Sequence, residues 1–498
     1  MKLYNSLTRK IEGFKPLKKG EVKIYTCGPT VYNYPTIGNW RTYLLSDFLI
    51  RGLKFTNPKL KVKHVMNLTD VGHLTGDNEG DADTGEDRLE KQAKKDKITA
   101  WDIAKKYGGD FCDSFKYLNI IKPDVLPKAT EHIEEQVKMV QDIEEKGYTY
   151  KIDGDGIYFD TKKYLEEGNK LSALSTLDNI TGGARVKMVQ GKKDSRDFAL
   201  WKFNKQNEKR DMEWQSPWGI GFPGWHIECS AMAKKHLGNT LDIHLGGEDL
   251  RSTHHPNEIT QSECTNGVEF VKYWMHGAFI KVDGGKMGKS LGNAYSIHDI
   301  IAKGYDPLAL RILYLQTHYR KPLNFTFESL KASQILLSRI SDRISKYKLV
   351  KNVNFKSLNP DFRCSDKFII ESFTSKYGEG INLIKEKIEN DLDYPSALVE
   401  LLRMLHITDP LLINYPKYKH LMWEMFEKTE ILELFGLETL LNTKEEFIPK
   451  EISDLAEKRK QAKQDKDFIK ADELRAEVEK LGYKILDKKD NQFTIKKI

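Results

Sequence analysis

The sequence predicts an α/β protein in which a parallel sheet is split by an insertion and followed by an all-α helical bundle and a small C-terminal α+β unit. Three observations carry that prediction. Short β-rich runs, EVKIYT, KVKHVMNL and LDIHL, alternate with segments of helical apolar spacing, the rhythm of parallel strands joined by helical crossovers. From about Pro307 to Leu440 the pattern is almost entirely helical, as in a bundle. Beyond a break at 441–450, Phe468, Ala471, Leu474, Val478 and Leu481 recur at helical spacing before YKILDKKDNQFTIKKI, a candidate hairpin.

Taken in order, EVKIYTCGPTVY begins as a strand and meets Gly28-Pro29, and a helix is expected from about Asn39 to Leu53. The second strand, KVKHVMNL, ends at Thr69 and Asp70. Ligands bind beyond the carboxyl ends of strands in such sheets, and Cys27 and Thr69 both fall at such ends. Residues 76–92 are acidic and at first Gly-rich, a loop running into a helix, and 127–147 read as helical. TYKIDGDGIYFDT reads as a hairpin turning around Asp153 to Gly156. The polar stretch from about 161 to 195 then completes an insertion between two halves of one sheet. The α/β rhythm is expected to resume at DFALWKF. A helix from about Trp225 to His236 follows, then the strand LDIHL with GGEDL at its carboxyl end.

Bulk properties narrow the class. A chain of 498 residues has room for roughly three domains at about 150 residues each, and it buries enough core to need no disulfide staples. Hydrophobic residues make up 39% and charged residues 31%, with a mean hydropathy of −0.57, a soluble globular balance. No run approaches the ~20 apolar residues of a membrane helix. The start, MKLYNSLTRKIEGFKPLKKG, has no apolar core for a secretory signal. Five cysteines at long spacings, without a CxxC pair, argue against a secreted disulfide framework. A cytoplasmic protein with no membrane partner is expected. The formal net charge of +7 is mildly basic and by itself weak evidence for an anionic partner.

Three segments carry chemistry. In CGPTVYNYPTIGNWRTY a turn leads through Thr36-Ile37-Gly38-Asn39 into a helix, and a helix N-terminus with a close glycine favours phosphate. In GGKMGKSLGN, Lys286 and Lys289 flank Met-Gly on a loop, where lysines can close over a triphosphate and neutralise charge on leaving pyrophosphate. Taken alone, the first is an ordinary strand-to-helix turn and the second a solvated charge cluster. The third comprises GWHIECSAM, DIHLGGED and HHPNE. His254 and Glu258 are four apart and share one helix face, so His255 is expected to point elsewhere. Cys27 and Cys229 can complete a set of two thiolates, an imidazole and a carboxylate, which suits zinc. Spacing alone does not bring Cys27 to Cys229, and taken singly each residue is as well explained by a plain core or surface role.

The chain resembles the cysteinyl-tRNA synthetases, a family of class I aminoacyl-tRNA synthetases. CGPTVYNY, RTY, NLTDVGH, GWHIECSAM, DIHLGGEDL, HHPNEI, KMGKSLGN and THYRKPLNF stand in the family's order over nearly the whole length. The run RKQAKQDKDFIKADELR resembles the family's end. GWHIECSAM with HHPNE at this spacing is the specific part of the match.

The resemblance implies a Rossmann-like class I catalytic sheet and a reaction in which ATP activates L-cysteine to cysteinyl-adenylate, which is then passed to tRNA(Cys). It implies one zinc per chain, held by Cys27, Cys229, His254 and Glu258. A thiol near zinc loses its proton and binds as a soft anion, whereas a serine hydroxyl is a far poorer ligand. A metal therefore separates cysteine from serine in one step, in the manner of sites that reject analogues lacking a required polar contact. Trp225 is implied to line the cysteine pocket, with Thr69 and His244 as further pocket candidates. Gly38, Gly247, Asp249 and Lys289 fall to ATP, which brings Mg²⁺. Thr36, Asn39, Lys286 and Lys289 form the implied catalytic set.

Two signature motifs depart from the family. Thr36-Ile37-Gly38-Asn39 stands where the HIGH motif normally begins with His; Thr36 retains a hydroxyl donor. Gly288 replaces the usual serine of KMSKS while both lysines remain. The tail also lacks the family's Trp-Arg ending; Phe493 and Lys496 stand near that place.

The expected organisation is 1–120 and 196–275 as the two halves of the catalytic domain, 121–195 as the inserted subdomain and 276–325 as a linker with the KMGKS loop. Residues 326–447 are expected as the anticodon-binding bundle and 448–498 as a C-terminal tRNA-contacting unit with Lys458, Arg459, Lys460 and Lys463. A monomer is expected. Two other readings are a cysteine ligase acting on an amino sugar and a catalytically silent tRNA-binding relative. The long bundle and basic C-terminal unit argue against the first. Retention of the four ligand residues, Trp225 and both loop lysines argues against the second.

Overall fold

The computed structural model describes residues 1–72, 74, 85–169, 171, 174, 189–204, 209–288, 291–348, 364–414, 430–441, 450–487 and 492–497. They form two compact units, Met1–Glu438 and Thr439–Ile498. The expected boundary at 447/448 lies outside the described residues.

The centre of the first unit is a four-stranded sheet in the order Val271–Gly277, Leu241–Gly247, Glu21–Thr26, Lys61–Met66, parallel throughout. The strands Leu241–Gly247 and Val271–Gly277 are buried along most of their length, as strands covered on both faces must be. The chain leaves Glu21–Thr26 toward one edge of the sheet and leaves Leu241–Gly247 toward the other. That is a topological switch point, and a crevice opens there beyond the carboxyl ends of the strands. Cys27 and Gly247 stand at its two lips.

Helix Ile37–Thr56 crosses from the first strand to the second, two residues longer at its start and three longer at its end than the apolar spacing suggests. Thr36 and Asn39 form a reciprocal capping box at its N-terminus. Helices Trp225–Leu237 and His254–Asn266 flank the strand Leu241–Gly247.

The insertion differs from the expectation. DFALWKF does not restart the catalytic sheet. Strand Ala199–Phe203 pairs antiparallel with Gly156–Phe159, and Gly221–Pro223 extends the same sheet. With Thr149–Ile152 this makes a separate four-stranded antiparallel sheet. The inserted sheet therefore runs to Pro223, and the second catalytic half begins at Trp225 rather than at 196. Ala199, Leu200 and Trp201 are all fully buried, and a short continuous apolar run does not reveal which kind of sheet it joins.

Strands Ile280–Val282, Gly285–Lys286 and Leu323–Phe325 form a small sheet that carries the start of the KMGKS loop. Helices Phe327–Lys348, Cys364–Glu389 and Tyr394–Asn414 follow. A buried ion network ties the first helix to this half. The Asp47 carboxylate pairs with Arg311 and, at 2.9 Å, with Arg51. Arg311 also donates to the carbonyls of Phe435 (2.6 Å) and Leu118 (2.7 Å). Gly436 has a positive φ of 64°, and a Cβ there would sit 2.1 Å from the Arg311 guanidinium carbon, so only glycine fits that turn.

In the second unit, helices Lys450–Gln464 and Phe468–Lys480 pack with an antiparallel hairpin of Tyr483–Asp487 and Phe493–Lys497 around Ile452, Ala456, Val478, Ile485 and Ile495. Arg459, expected among the basic residues of the tRNA-contacting unit, is turned inward. It is 3% exposed and forks onto Asp487 at 2.8 and 3.0 Å, a bidentate pair that locks the helix to the hairpin. Among the described residues no helix is long and apolar enough to cross a membrane.

Candidate metal and substrate site

The crevice at the switch point is a cleft of about 280 Å³. Cys27, Asn39, Thr69, Trp225, Cys229, Gly247, Asp249 and His254 all line it, so eight of the residues singled out in the sequence converge there.

Tight backbone approaches shape its floor. A Cβ on Gly28 would lie 1.8 Å from the Asn67 carbonyl oxygen, so the turn after Cys27 can lie against the end of the second strand only with glycine there. The Gly28 N–H donates to Asn67 Oδ1 at 2.9 Å, and Asn67 Nδ2 donates to Thr69 Oγ1 at 3.1 Å. Val31 and Thr69 N–H groups close the pairing onto the Thr69 and Pro29 carbonyls, each at 3.0 Å. Asn67 thus fixes both Cys27's turn and Thr69. It was missed because the sequence places it inside the strand run KVKHVMNL, where one polar residue gives no sign of a cross-chain contact.

Cys27 follows the first strand, with its N–H on the Leu245 carbonyl at 3.0 Å. Cys229 lies in the helix Trp225–Leu237, and His254 and Glu258 lie one turn apart in His254–Asn266. The four ligand atoms lie within 4.8 Å of one another. Glu258 is fully buried, with Oε1 at 3.0 Å from His254 Nε2 and 3.6 Å from Cys27 Sγ. Two sulfurs, one imidazole nitrogen and one carboxylate oxygen at this separation fit a tetrahedral zinc site.

The electrostatics suit a cation. Burial opposes charge on Glu258, but His244 and His254 bring its carboxyl down to about 2. Burial likewise opposes charge on His254, yet Glu258 and Cys229 hold it up at about 10. Burial raises the Cys229 thiol, while its bond with Cys27 and the charge of His254 bring it down to about 6. Negative charge is thus concentrated on donors whose protons a metal displaces.

Around the ligands stands a layer of histidines. His254 Nδ1 meets His226 Nδ1 at 2.8 Å, and Trp225 stacks on the His254 ring at 4.3 Å. Such outer contacts set ring orientation at a metal. His244, expected in the substrate pocket, does not line the cleft. Its Nε2 contacts Glu258 Oε2 at 2.9 Å and its ring stacks on Trp274 at 4.5 Å, so it orients Glu258 from behind. His255 does not point away as its helix position suggests. Its Nε2 is 3.5 Å from Cys27 Sγ, because the strand beside it carries Gly246, where a Cβ would lie 2.5 Å from the His255 ring. The helical-face argument treats a helix in isolation, whereas this site is closed from two sides.

The end of the cleft beside helix Ile37–Thr56, expected to take phosphate, is built differently. Thr36 Oγ1 donates to Asn39 Oδ1 at 2.8 Å and accepts from the Asn39 N–H at 3.4 Å, so its hydroxyl is committed to the helix cap. Asn39, not Thr36, reaches the cleft. Gly38 is the seat of Met287 from the KMGKS loop: a Cβ there would lie 2.5 Å from Met287 Cε. Lys286 is exposed in its short strand, and Lys289 lies outside the described residues. Asn293 braces the loop, accepting from the Gly288 N–H at 2.8 Å and donating to the Lys286 carbonyl at 3.1 Å. Gly247 lets the Asp249 carboxylate fold back over the backbone, where a Cβ would lie 2.2 Å from Asp249 Oδ1.

Residues 13–335 match the family model described as the tRNA synthetases class I (C) catalytic domain. The fold is similar to that of Mycobacterium tuberculosis methionyl-tRNA synthetase bound by methionyl-adenylate, with a TM-score of 0.56 over 86% of this chain and 92% of that one, at 13% identity. The molecule thus carries a class I tRNA synthetase catalytic domain.

Whole-length relatives narrow the class. The chain is 39% identical to a cysteine–tRNA ligase of Caldicellulosiruptor saccharolyticus over 98% of both chains. It is 36% identical to one of Treponema denticola over 100% of both. It is also 36% identical to one of Thermococcus gammatolerans over 98% of this chain and 97% of that one. The chain belongs to the cysteine–tRNA ligase family.

Proposed function

We propose that this chain activates L-cysteine with ATP, transfers it to tRNA(Cys), and selects it through a zinc ion held by Cys27, Cys229, His254 and Glu258. The observation that carries the proposal is the convergence of these four side chains from three separate elements, with Cys27, Cys229 and His254 on the wall of the cleft and Glu258 buried behind them. When bound, zinc supplies a Lewis acid that favours a thiolate over a hydroxyl.

The chain's own groups do the rest. Trp225, stacked on His254, covers one side of the cysteine pocket, and Thr69 lines another part of the cleft. Asp249, which lines the cleft, accepts ribose hydroxyls. Asn39 brings the N-terminal turn of helix Ile37–Thr56 to the cleft, where the helix dipole favours phosphate. The cysteine carboxylate attacks the α-phosphate, and pyrophosphate leaves with Lys286 and Lys289 neutralising its charge. Mg²⁺ arrives with the nucleotide. The terminal ribose hydroxyl of tRNA then attacks the adenylate, and AMP leaves. Orientation is the protein's main contribution to both steps. Lys458, Lys460 and Lys463 on the helix Lys450–Gln464 supply charge for the tRNA backbone.

Cysteine-dependent ATP–pyrophosphate exchange and tRNA(Cys) charging, measured on the full chain and on a chain ending at Glu438, test this reading. Both chains exchange, and the shorter one loses efficient charging. Absence of exchange in the full chain would favour the silent relative. Equal charging by the two chains would remove the C-terminal unit from tRNA recognition.

A further inference from the structure

The ligand residues of the site do not form one set but two. Cys27, His244, His255 and Glu258 also bring their ligand atoms within 4.8 Å of one another, and all four are buried. Cys27 Sγ is 3.5 Å from His255 Nε2 and 3.6 Å from Glu258 Oε1. Glu258 Oε1 is 3.9 Å from His255 Nε2. Zinc–nitrogen and zinc–sulfur bonds of roughly 2.0–2.3 Å, opened to the tetrahedral angle, put ligand atoms about 3.3–3.6 Å apart. Those three distances are therefore close to the spacing a zinc ion requires, and His244 brings a ring nitrogen within 4.8 Å of the other ligand atoms.

The inner rings are also held as metal ligands are held. His255 Nδ1 meets His276 Nε2 at 2.8 Å, which aims Nε2 at Cys27. His244 is fixed by its stack on Trp274. A hydrogen-bonded or packed far side that presents one nitrogen is the usual support of a ligating imidazole.

The two sets share Cys27 and Glu258, so they hold one metal between them. They differ in access. Cys27, Cys229 and His254 line the cleft, while His244 and His255 do not. A substrate thiolate reaches the outer position. Each position has four protein ligands, but only the outer one borders the cleft; the inner one, whose imidazoles do not line it, has the closed character of a structural zinc.

We propose that Cys27 and Glu258 serve two overlapping metal positions, an outer one completed by Cys229 and His254 and an inner one completed by His244 and His255. The inner position retains the metal when Cys229 is not available as a ligand. This rests on the zinc reading above. It assigns to His244 and His255 a role as ligands, where that reading needs them only to orient Glu258. Moving between positions exchanges Cys229 and His254 for the two inner imidazoles, without releasing the ion.

Cobalt(II) loading of the full chain tests this, because thiolate-to-cobalt absorption counts the sulfurs bound. The unmodified chain shows two-thiolate absorption. Cys229→Ala still binds one cobalt per chain, with that absorption about halved and unchanged by added cysteine. Cys229→Ala combined with His255→Ala loses the metal, whereas His255→Ala alone keeps the two-thiolate spectrum. A Cys229→Ala chain that binds no cobalt, or a double variant that binds it as well as the single one, overturns the inner position. An unmodified chain that takes up no zinc would instead overturn the zinc reading itself.

Discussion

At the sulfur end of the cleft, Cys27, Cys229, His254 and Glu258 are each 5% exposed or less. They are held by stacked rings and by hydrogen bonds of 2.8–3.0 Å. At the phosphate end, Lys286 is exposed, the Thr36 hydroxyl caps a helix, and the KMGKS loop touches the first helix through the tip of one methionine. Under the proposed function, the difference follows from what each end must do. Telling a thiol from a hydroxyl requires fixed ligands in a fixed geometry, since the discrimination comes from a few bonds made or lost. Neutralising a triphosphate requires charge that arrives with the reaction and leaves with pyrophosphate, which an exposed loop provides.

Substitutions at each end break or sharpen that contrast. Cys27→Ala has the largest expected effect, because Cys27 belongs to both ligand sets. Cysteine-dependent exchange falls on the order of 10³-fold or more, and metal analysis finds the chain empty. Lys289→Ala comes next. It slows exchange by about 10²-fold or more while zinc content stays at the level of the unmodified chain; a parallel loss of metal would show that the two ends are not separate.

Gly38→Ala tests the methionine contact. The new Cβ displaces Met287, and exchange slows by about ten- to a hundredfold. Adding Met287→Ala removes the clash and restores most of the rate. If the double variant is as slow as the single one, the glycine serves the nucleotide directly. Thr36→Ala has the smallest effect. It removes the cap and costs about 1 kcal/mol in denaturant unfolding, with a smaller loss of exchange than Lys289→Ala. A loss as large as that of the lysine would mean that the hydroxyl leaves the cap to meet the phosphates.

The same contrast explains what could be read from the sequence. The strand rhythm, the helices and the C-terminal hairpin were legible because each is local. The pairing of His254 with Glu258 was legible because one helical turn separates them. The approach of Cys27 to Cys229 depends on a parallel sheet bringing together residues far apart in the chain, and only the family resemblance supplied it. His255 was misplaced because its reach depends on Gly246 of a neighbouring strand. Arg459 was grouped with the tRNA-contacting lysines because its partner, Asp487, lies across a helix and a turn. DFALWKF was given to the wrong sheet because a strand buried on both faces carries no alternation to show which neighbours it has. Thr36 was assigned to phosphate from its motif position, which gives no sign that the same hydroxyl also caps the helix through its bond with Asn39.

Metal-dependent selection of the thiol is tested most directly by pyrophosphate exchange with cysteine and with serine, on zinc-loaded chain and on the same chain after chelation. The account predicts that the loaded chain prefers cysteine by on the order of 10⁴-fold or more, that chelation abolishes cysteine exchange, and that restored zinc recovers it. A chelated chain that still activates cysteine in strong preference to serine would contradict it.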